Sequence, residues 1–371
     1  QFLQTFAWTN PNSVSQSQAN DTYNAFNFFG DYEKTLGKHY LKGMIGYNQE
    51  SKHTTGFNAG REQLISNDLG SLSYATGDRW VGSSDNSWAT RSGFFRINYG
   101  YDERYLLEVN GRYDLSSKFP KHDRAVFNPS FSAAWRLSNE SWFKSWTNSF
   151  FDELKIRGSY GLVGSDETGL SAGAQHFLYI DQVSLNNIGF TTGVDMNYTL
   201  YGPLVTNYAV VNGGWERVKK LDIGIDLELF RQLTITADYF NEKRYNILLH
   251  REAWPESLGY YTAKPWSNKG KVDNWGIELS VNWRKEFTKD LYVDFRGNFT
   301  YTENKYVNLD EPVYPYVWKT STGKPLSRTT GYIAQGLFSS QEEIDNSPTQ
   351  NLGSTVKPGD IKYRDVNGDG K

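Results

Sequence analysis

Segments of about ten residues in which apolar and polar side chains alternate strictly recur along this chain. In one of them Tyr105, Leu107, Val109, Gly111 and Tyr113 fall on one side, and Leu106, Glu108, Asn110, Arg112 and Asp114 on the other. Leu221, Ile223, Ile225, Leu227 and Leu229 alternate in the same way with Asp222, Gly224, Asp226 and Glu228. A third segment sets Trp275, Ile277, Leu279, Val281 and Trp283 against Gly276, Glu278, Ser280, Asn282 and Arg284. A period of two is the side-chain period of a β-strand. A tilted strand of about 9–11 residues crosses the hydrocarbon core of a bilayer. Aromatic residues at both ends of an apolar face, such as Tyr105 with Tyr113 and Trp275 with Trp283, suit the two interfaces. The pattern predicts a transmembrane β-barrel whose inner face is polar.

Composition agrees through what the chain lacks. Its 371 residues hold no Cys and two Met but 12 Trp, 25 Tyr and 22 Phe, so aromatic residues make up 16% of the chain. Mean hydropathy is −0.65, and no run of about 18 apolar residues occurs, which excludes a helical span. A barrel strand escapes such a search because every second residue faces a wet lumen. Without Cys, disulfide frameworks and thiolate metal sites drop out. A net charge of −3 with no basic run argues against a nucleic-acid partner. The start, Gln1-Phe2-Leu3-Gln4, has neither the basic nor the apolar region of a signal peptide.

The alternation places ten strands near residues 22–33, 38–48, 90–100, 104–115, 126–137, 153–164, 216–229, 233–248, 273–285 and 290–303, with a further one near 2–9. The connectors then alternate in length. Residues 34–37, 101–103, 230–232 and 286–289 read as tight turns, whereas 49–89, 165–215, 249–272 and everything after 304 are long. Outer-membrane barrels pair short periplasmic turns with long extracellular loops. The connector at 138–152 falls on the turn side, and Asn139-Glu140-Ser141-Trp142-Phe143 within it reads as a capped short helix at the membrane interface.

A soluble sandwich or propeller would also show alternating strands. Against it stand strands longer than the usual 5–6 residues and loops longer than compact domains carry. The polar face also mixes Glu, Asp and Arg, which a packed core would not accept.

Several runs carry a family resemblance. Tyr101-Asp102-Glu103-Arg104-Tyr105-Leu106-Leu107-Glu108 leads into Asn110-Gly111-Arg112-Tyr113-Asp114-Leu115-Ser116-Ser117-Lys118-Phe119. Phe127-Asn128-Pro129-Ser130-Phe131-Ser132-Ala133-Ala134-Trp135-Arg136-Leu137 is followed by Leu154-Lys155-Ile156-Arg157-Gly158-Ser159-Tyr160-Gly161. Further on come Trp215-Glu216-Arg217, Asp238-Tyr239-Phe240, Asn268-Lys269-Gly270, Gly276-Ile277-Glu278-Leu279 and the closing stretch Pro358 to Lys371. Together, in this order and spacing, these runs resemble the barrel of the SusC/RagA group of TonB-linked outer-membrane transporters of Bacteroidetes.

The resemblance implies import. Barrels of this kind have 22 strands closed by a plug. The group couples to TonB through a periplasmic box and works with a SusD-like surface lipoprotein as a lid. Its cargo is a glycan oligomer or a peptide. On that pattern this chain supplies ten or eleven strands of an all-β antiparallel transmembrane barrel. Residues 1–371 form part of one barrel domain and carry no plug, TonB box or terminal barrel strands, so a piece of a longer protein is expected. TonB would be engaged through a region outside this chain. An open half-barrel would leave unpaired strand edges in lipid, each unsatisfied group costing several kcal/mol.

Candidate site residues follow from this frame. Glu108, Asn110, Arg112, Asp114, Asp222, Asp226, Glu228 and Glu278 are expected to line the lumen. In the expected outer loops, Trp80, Trp88, Tyr198, Tyr201, Trp254 and Trp266 offer flat rings for cargo or lid, with Tyr208, Tyr260 and Tyr261 nearby. The competing reading is that such rings belong to the outer girdle or pack loops together. Asp365-Val366-Asn367-Gly368-Asp369-Gly370 matches the opening of a calcium loop, with oxygen ligands at Asp365, Asn367 and Asp369. The acidic residue expected at its twelfth position lies beyond Lys371, and the commoner reading of such a run is an Asx-rich turn in a polar loop.

No catalytic constellation stands out. The five His are scattered and form no HExxH, and no nucleophile elbow or phosphate loop occurs. A transporter rather than an enzyme is expected. A passive porin would show the same strands and differ by lacking a plug and TonB box encoded upstream. A structural or adhesive surface barrel would carry a repetitive passenger domain.

Overall fold

A computed structural model of the chain describes residues 11–147, 151–168, 178–196, 198–210, 213–258 and 264–371. The strand expected near 2–9 lies outside them, as do Tyr260 and Tyr261. The chain divides into two compact units, residues 1–324 and 325–371.

The first unit is built on one antiparallel sheet. Its strands are β1 (Ser13–Leu36), β2 (His39–Glu62), β3 (Arg79–Tyr101), β4 (Tyr105–Ser116), β5 (Ala125–Arg136) and β6 (Phe151–Ser165), then β9 (Glu216–Leu229), β10 (Leu233–His250), β11 (Trp266–Thr288) and β12 (Leu291–Asn308). Between β6 and β9 the chain makes a separate hairpin, β7 (Gln182–Thr192) with β8 (Tyr198–Asn207). The ten strands pair in chain order, β6 joining β9 directly, with β1 and β12 as the outer strands. A helix, α1 (Ser141–Thr147), bridges β5 and β6. All ten strands expected from the alternation are present.

Register converts the period of two into two continuous faces. Val109 sits between Ile97 of β3 and Phe131 of β5. Ile225 sits between Ile156 and Ala237, and Leu279 between Ala237 and Phe299. This apolar face is uncovered: Phe28, Ile45, Phe131 and Ile223 are all exposed. Only eight apolar residues are buried among those described, and they lie apart from the middle of the sheet face. A two-layer soluble sandwich would have a packed interior here. A single layer with a bare apolar face instead suits lipid. No described helix is long and apolar enough to cross a membrane.

The strands exceed the expected ones in length, which corrects the loop assignments. β1 and β2 have 24 residues each, β3 and β11 23 each. At about 3.3 Å per residue a 24-residue strand runs to about 80 Å, whereas the apolar band of such barrels is about 25 Å tall. The apolar stripe of β1 (Phe26, Phe28, Tyr32) and β2 (Leu41, Ile45, Tyr47) accordingly stops near Gln49, and Ser51, His53 and Thr55 continue the same face. Backbone pairing persists where the side chains have turned polar, because the ladder hydrogen bonds do not depend on apolar partners. The loop expected over 49–89 therefore contracts to 63–78, and that over 249–272 to 251–265. The 165–215 connector contains the β7–β8 hairpin.

The tight turns all close at one end: Gly37-Lys38, Asp102-Glu103-Arg104, Phe230-Arg231-Gln232 and Lys289-Asp290. Gly37 has φ 60°, and Asp102 and Glu103 have φ 51° and 53°, the left-handed values that tight hairpins require.

The second unit is small. It comprises β13 (Ala334–Leu337), α2 (Gln341–Asp345) and β14 (Ile361–Tyr363), with β13 antiparallel to β14 around the buried Phe338. Ser340 caps α2 by accepting from the Glu343 amide, and the Glu343 carboxylate accepts from the Ser339 amide and hydroxyl. Those donors and Lys362 at 3.1 Å bring Glu343 down to about 2.

Candidate functional site

The polar face of the ten-stranded sheet gathers every residue expected to line the lumen. Glu108, Asn110, Arg112 and Asp114 follow one another along β4; Asp222, Asp226 and Glu228 lie on β9, and Glu278 on β11 opposite Asp238 of β10. Apart from Glu228 and Glu278, these side chains fall into two hydrogen-bonded groups.

The first is centred on Arg157 of β6, which sequence reading did not single out. Its guanidinium donates to Asp222 at 3.1 Å, to Asp238 at 2.8 Å and to Asp226 at 3.3 Å, and Lys155 donates to Asp226 at 3.0 Å. The register explains the convergence. Arg157 lies directly opposite Gly224, so the two neighbouring inward positions of β9, Asp222 and Asp226, flank it; Asp238 on β10 is opposite the same glycine. A Cβ at Gly224 would collide with Asp238 and the Arg157 guanidinium. The sequence signal was present in the Leu-Asp-Ile-Gly-Ile-Asp run of β9, but only pairing shows which cation fills the gap.

The second group runs along β3, β4 and β5. Glu108 accepts from Asn98 and, at 2.7 Å, from Asn110; Asn110 in turn accepts from Arg96 at 2.7 Å. Arg112 pairs with Asp114 at 2.6 Å and donates to Ser92 at 2.8 Å, while Asn128 donates to Asp114 at 3.1 Å. Both groups border a concavity of about 760 Å³ whose lining includes Arg96, Glu108, Ser132, Lys155, Arg157 and Asp222. A second hollow of about 580 Å³ is lined by Trp88, Arg112, Asp114, Lys118 and Asp166. Lys118 is buried, with Asp166 at 3.5 Å and the Trp88 ring at 5.8 Å.

The aromatic candidates separate by location. Trp80 and Trp88, expected in a loop, lie on β3, and Trp88 is the one beside the charged hollow. Tyr198 and Tyr201 also belong to a strand, β8, where both are exposed. Trp266 opens β11 with its ring 3.6 Å from that of His250. Trp254 is in a connector, stacked under Arg251 at 5.0 Å, and Arg251 is paired with Asp310. Trp254 and Trp266 thus pack on Arg251 and on His250 at the end of β10, whereas Trp88, with Tyr23 and Lys118 beside it, lines the charged hollow. Tyr208 follows β8 in coil.

The Asp365 run folds as a turn. Asp365 accepts from the amides of Gly368 at 2.7 Å and Gly370 at 2.9 Å, and Asn367 donates to Asp369 at 2.7 Å. These amide donors hold the Asp365 carboxyl below the usual aspartate range. Gly368 and Gly370 take φ 73° and 83°.

A single-layer sheet with one continuous apolar face, one continuous ionic face and turns at one end is the wall of a transmembrane β-barrel. The comparisons name the family. Residues 1–367 match the model of the TonB dependent receptor-like, beta-barrel family, and the chain belongs to it. TonB-dependent receptor P3 of Formosa agariphila is 26% identical over 356 residues, covering 92% of this chain and 34% of that protein. TonB-dependent receptor SusC of Bacteroides thetaiotaomicron is 28% identical over 347 residues, covering 88% and 32%. The chain thus spans about a third of the length of these relatives. The structure of the RagAB peptide transporter matches with a TM-score of 0.72 at 20% identity, over 95% of this chain and 37% of that one, a likeness of fold. The resemblance to the SusC/RagA group read from Tyr101–Phe119 and Phe127–Leu137 holds.

Proposed function

We propose that this chain forms part of the lumen wall of a TonB-driven outer-membrane importer of a Gram-negative bacterium. The observation that carries the reading is the ionic inner face, with the Arg157 cluster and the Glu108–Asp114 row bordering hollows large enough for a sugar or peptide unit. A wall of fixed, mutually paired charges offers hydrogen bonds to a passing polar cargo without a single deep trap. The cargo class is a glycan oligomer or a peptide, and the outer partner a SusD-like surface lipoprotein. Support comes from the likeness to SusC and, in fold, to the RagAB peptide transporter. Trp88 is the aromatic residue best placed to stack on cargo at the inner face.

The deciding experiment is uptake of labelled oligosaccharides and oligopeptides by cells with and without the gene, in TonB-competent and TonB-deficient backgrounds. Uptake lost in both deletions supports active import. Uptake that survives loss of TonB would make the protein a passive channel. Affinity purification in mild detergent tests the lipoprotein partner: no stoichiometric surface lipoprotein would remove the lid from the proposal. For the Asp365–Gly370 loop calcium binding stays a proposal, tested by calorimetric titration of the protein against Asp365→Asn/Asp369→Asn; identical calcium binding by the two would end it.

A further inference from the structure

We infer that α1 is a lipid-interface foot, with Trp142 and Trp146 seated in the phospholipid headgroup region of the leaflet at the turn end of the sheet. The inference rests on the membrane-barrel reading and goes beyond it.

The side of the sheet on which α1 lies is set by hydrogen bonds. Glu140, just before the helix, accepts from the Tyr105 hydroxyl at 2.7 Å, from Trp135 Nε1 at 3.1 Å and from Arg104 at 2.8 Å. Tyr105 and Trp135 are cross-strand partners on the apolar face, in register with Leu107 and Ala133. Phe143 is buried with its ring 5.5 Å from that of Phe151, which pairs with Leu229 on the same face. Asn139 donates to the Glu103 carbonyl at 3.1 Å, and Arg104 also pairs with Asp102. The helix is therefore fixed against the apolar face beside a tight turn.

What it presents outward is two indoles. Trp142 and Trp146 are four residues apart, so they share one side of the helix. They are 55% and 78% exposed, while Phe143 between them is 5% exposed and meets both rings edge-on at 5.7 and 6.1 Å. Two bare tryptophans on a pinned helix need a covering partner. Continuity identifies it: Glu140, one residue before the helix, bonds two members of a row of stacked aromatics, Tyr101, Tyr105 and Trp135, with centroids 6.4 and 6.2 Å apart. That row is the aromatic girdle of the lipid-facing band, and the indoles extend it. Trp prefers this depth because its ring is apolar and its N–H can reach water or a headgroup oxygen. Lys144, exposed on the same helix, supplies a cation for phosphate.

The test uses the protein in a cysteine-free background, reconstituted in phosphatidylethanolamine–phosphatidylglycerol vesicles. Trp146→Cys and, separately, Trp142→Cys carry an environment-sensitive fluorophore. Ile223→Cys marks the middle of the apolar face, and Ser354→Cys in the second unit gives a polar-surface reference. Expected is strong quenching of the labels at 142 and 146 by lipids brominated near the headgroup end of the acyl chain, severalfold more than by aqueous iodide. Quenching of these labels by iodide alone, or by neither agent while Ile223→Cys responds to deep-brominated lipid, overturns the foot and leaves the barrel. If Ile223→Cys is also blind to brominated lipid, the barrel reading fails and the foot with it.

Discussion

The two faces of the same strands are held in opposite ways. On the apolar face Ile223, Ile225 and Leu279 face apolar neighbours across the strands, and much of their surface is left for lipid. On the polar face Arg157 alone bonds three carboxylates from two strands. One face tolerates any apolar side chain of suitable size; the other depends on individual pairings. Errors on the first should therefore be judged by polarity, and errors on the second by which partner is left uncompensated.

The largest expected effect comes from breaking the apolar face. Ile223→Arg places a cation in mid-band and should destabilise the folded barrel by about 2–4 kcal/mol, read by denaturant unfolding in lipid vesicles. A cost no greater than that of Asp222→Asn would show that the face does not meet lipid.

On the polar face, Arg157→Met leaves Asp222 and Asp238 without their shared cation, while Asp226 keeps Lys155. Removing one partner of a fully buried pair costs about 3–5 kcal/mol. Arg157 retains 29% of its side-chain surface in contact with solvent, so screening should reduce the loss to about 1–2 kcal/mol. The loss should shrink further at high salt, and a salt-independent loss would mean that shape rather than charge dominates.

The turn end can be probed by pH. Hydrogen bonds from Tyr105 and Arg104 keep the Glu140 carboxyl below the usual glutamate range. A depressed carboxylate contributes stability that is present above the unfolded value, about 4.3, and is lost as pH falls through the folded one. Glu140→Gln should flatten that acid limb of the stability curve and leave its neutral-to-basic part parallel to the wild-type curve. An unchanged acid limb would detach α1 from this carboxylate.

The smallest effect separates the aromatic candidates. Trp88→Ala should lower uptake, whereas Trp254→Ala with Trp266→Ala should alter it less, because those two rings pack on Arg251 and His250. The reverse order would return cargo contact to the loop.

Much of this was legible in the sequence because strand alternation is local. Each apolar–polar pair assigns its own side, so Glu108 through Asp114 could be placed on the inner face without any partner strand. The ends of the strands were not legible. In β1 and β2 pairing continues past Gln49 through Ser51, His53 and Thr55, where the alternation has faded but backbone groups still need partners. For that reason the sequence pattern places Trp80 and Trp88 in a loop, whereas they lie on β3.

The sequence by itself determined the strand pattern, the two-sided chemistry and the family, since these depend on residue type and spacing of two. Only the tertiary structure decided that Arg157 serves Asp222, Asp226 and Asp238. It also decided that Glu140 draws α1 onto the lipid-facing side and that Trp88 rather than Trp254 borders the inner hollow. Each of those depends on register between strands distant in the chain, and a one-residue slip would move every side chain to the other face.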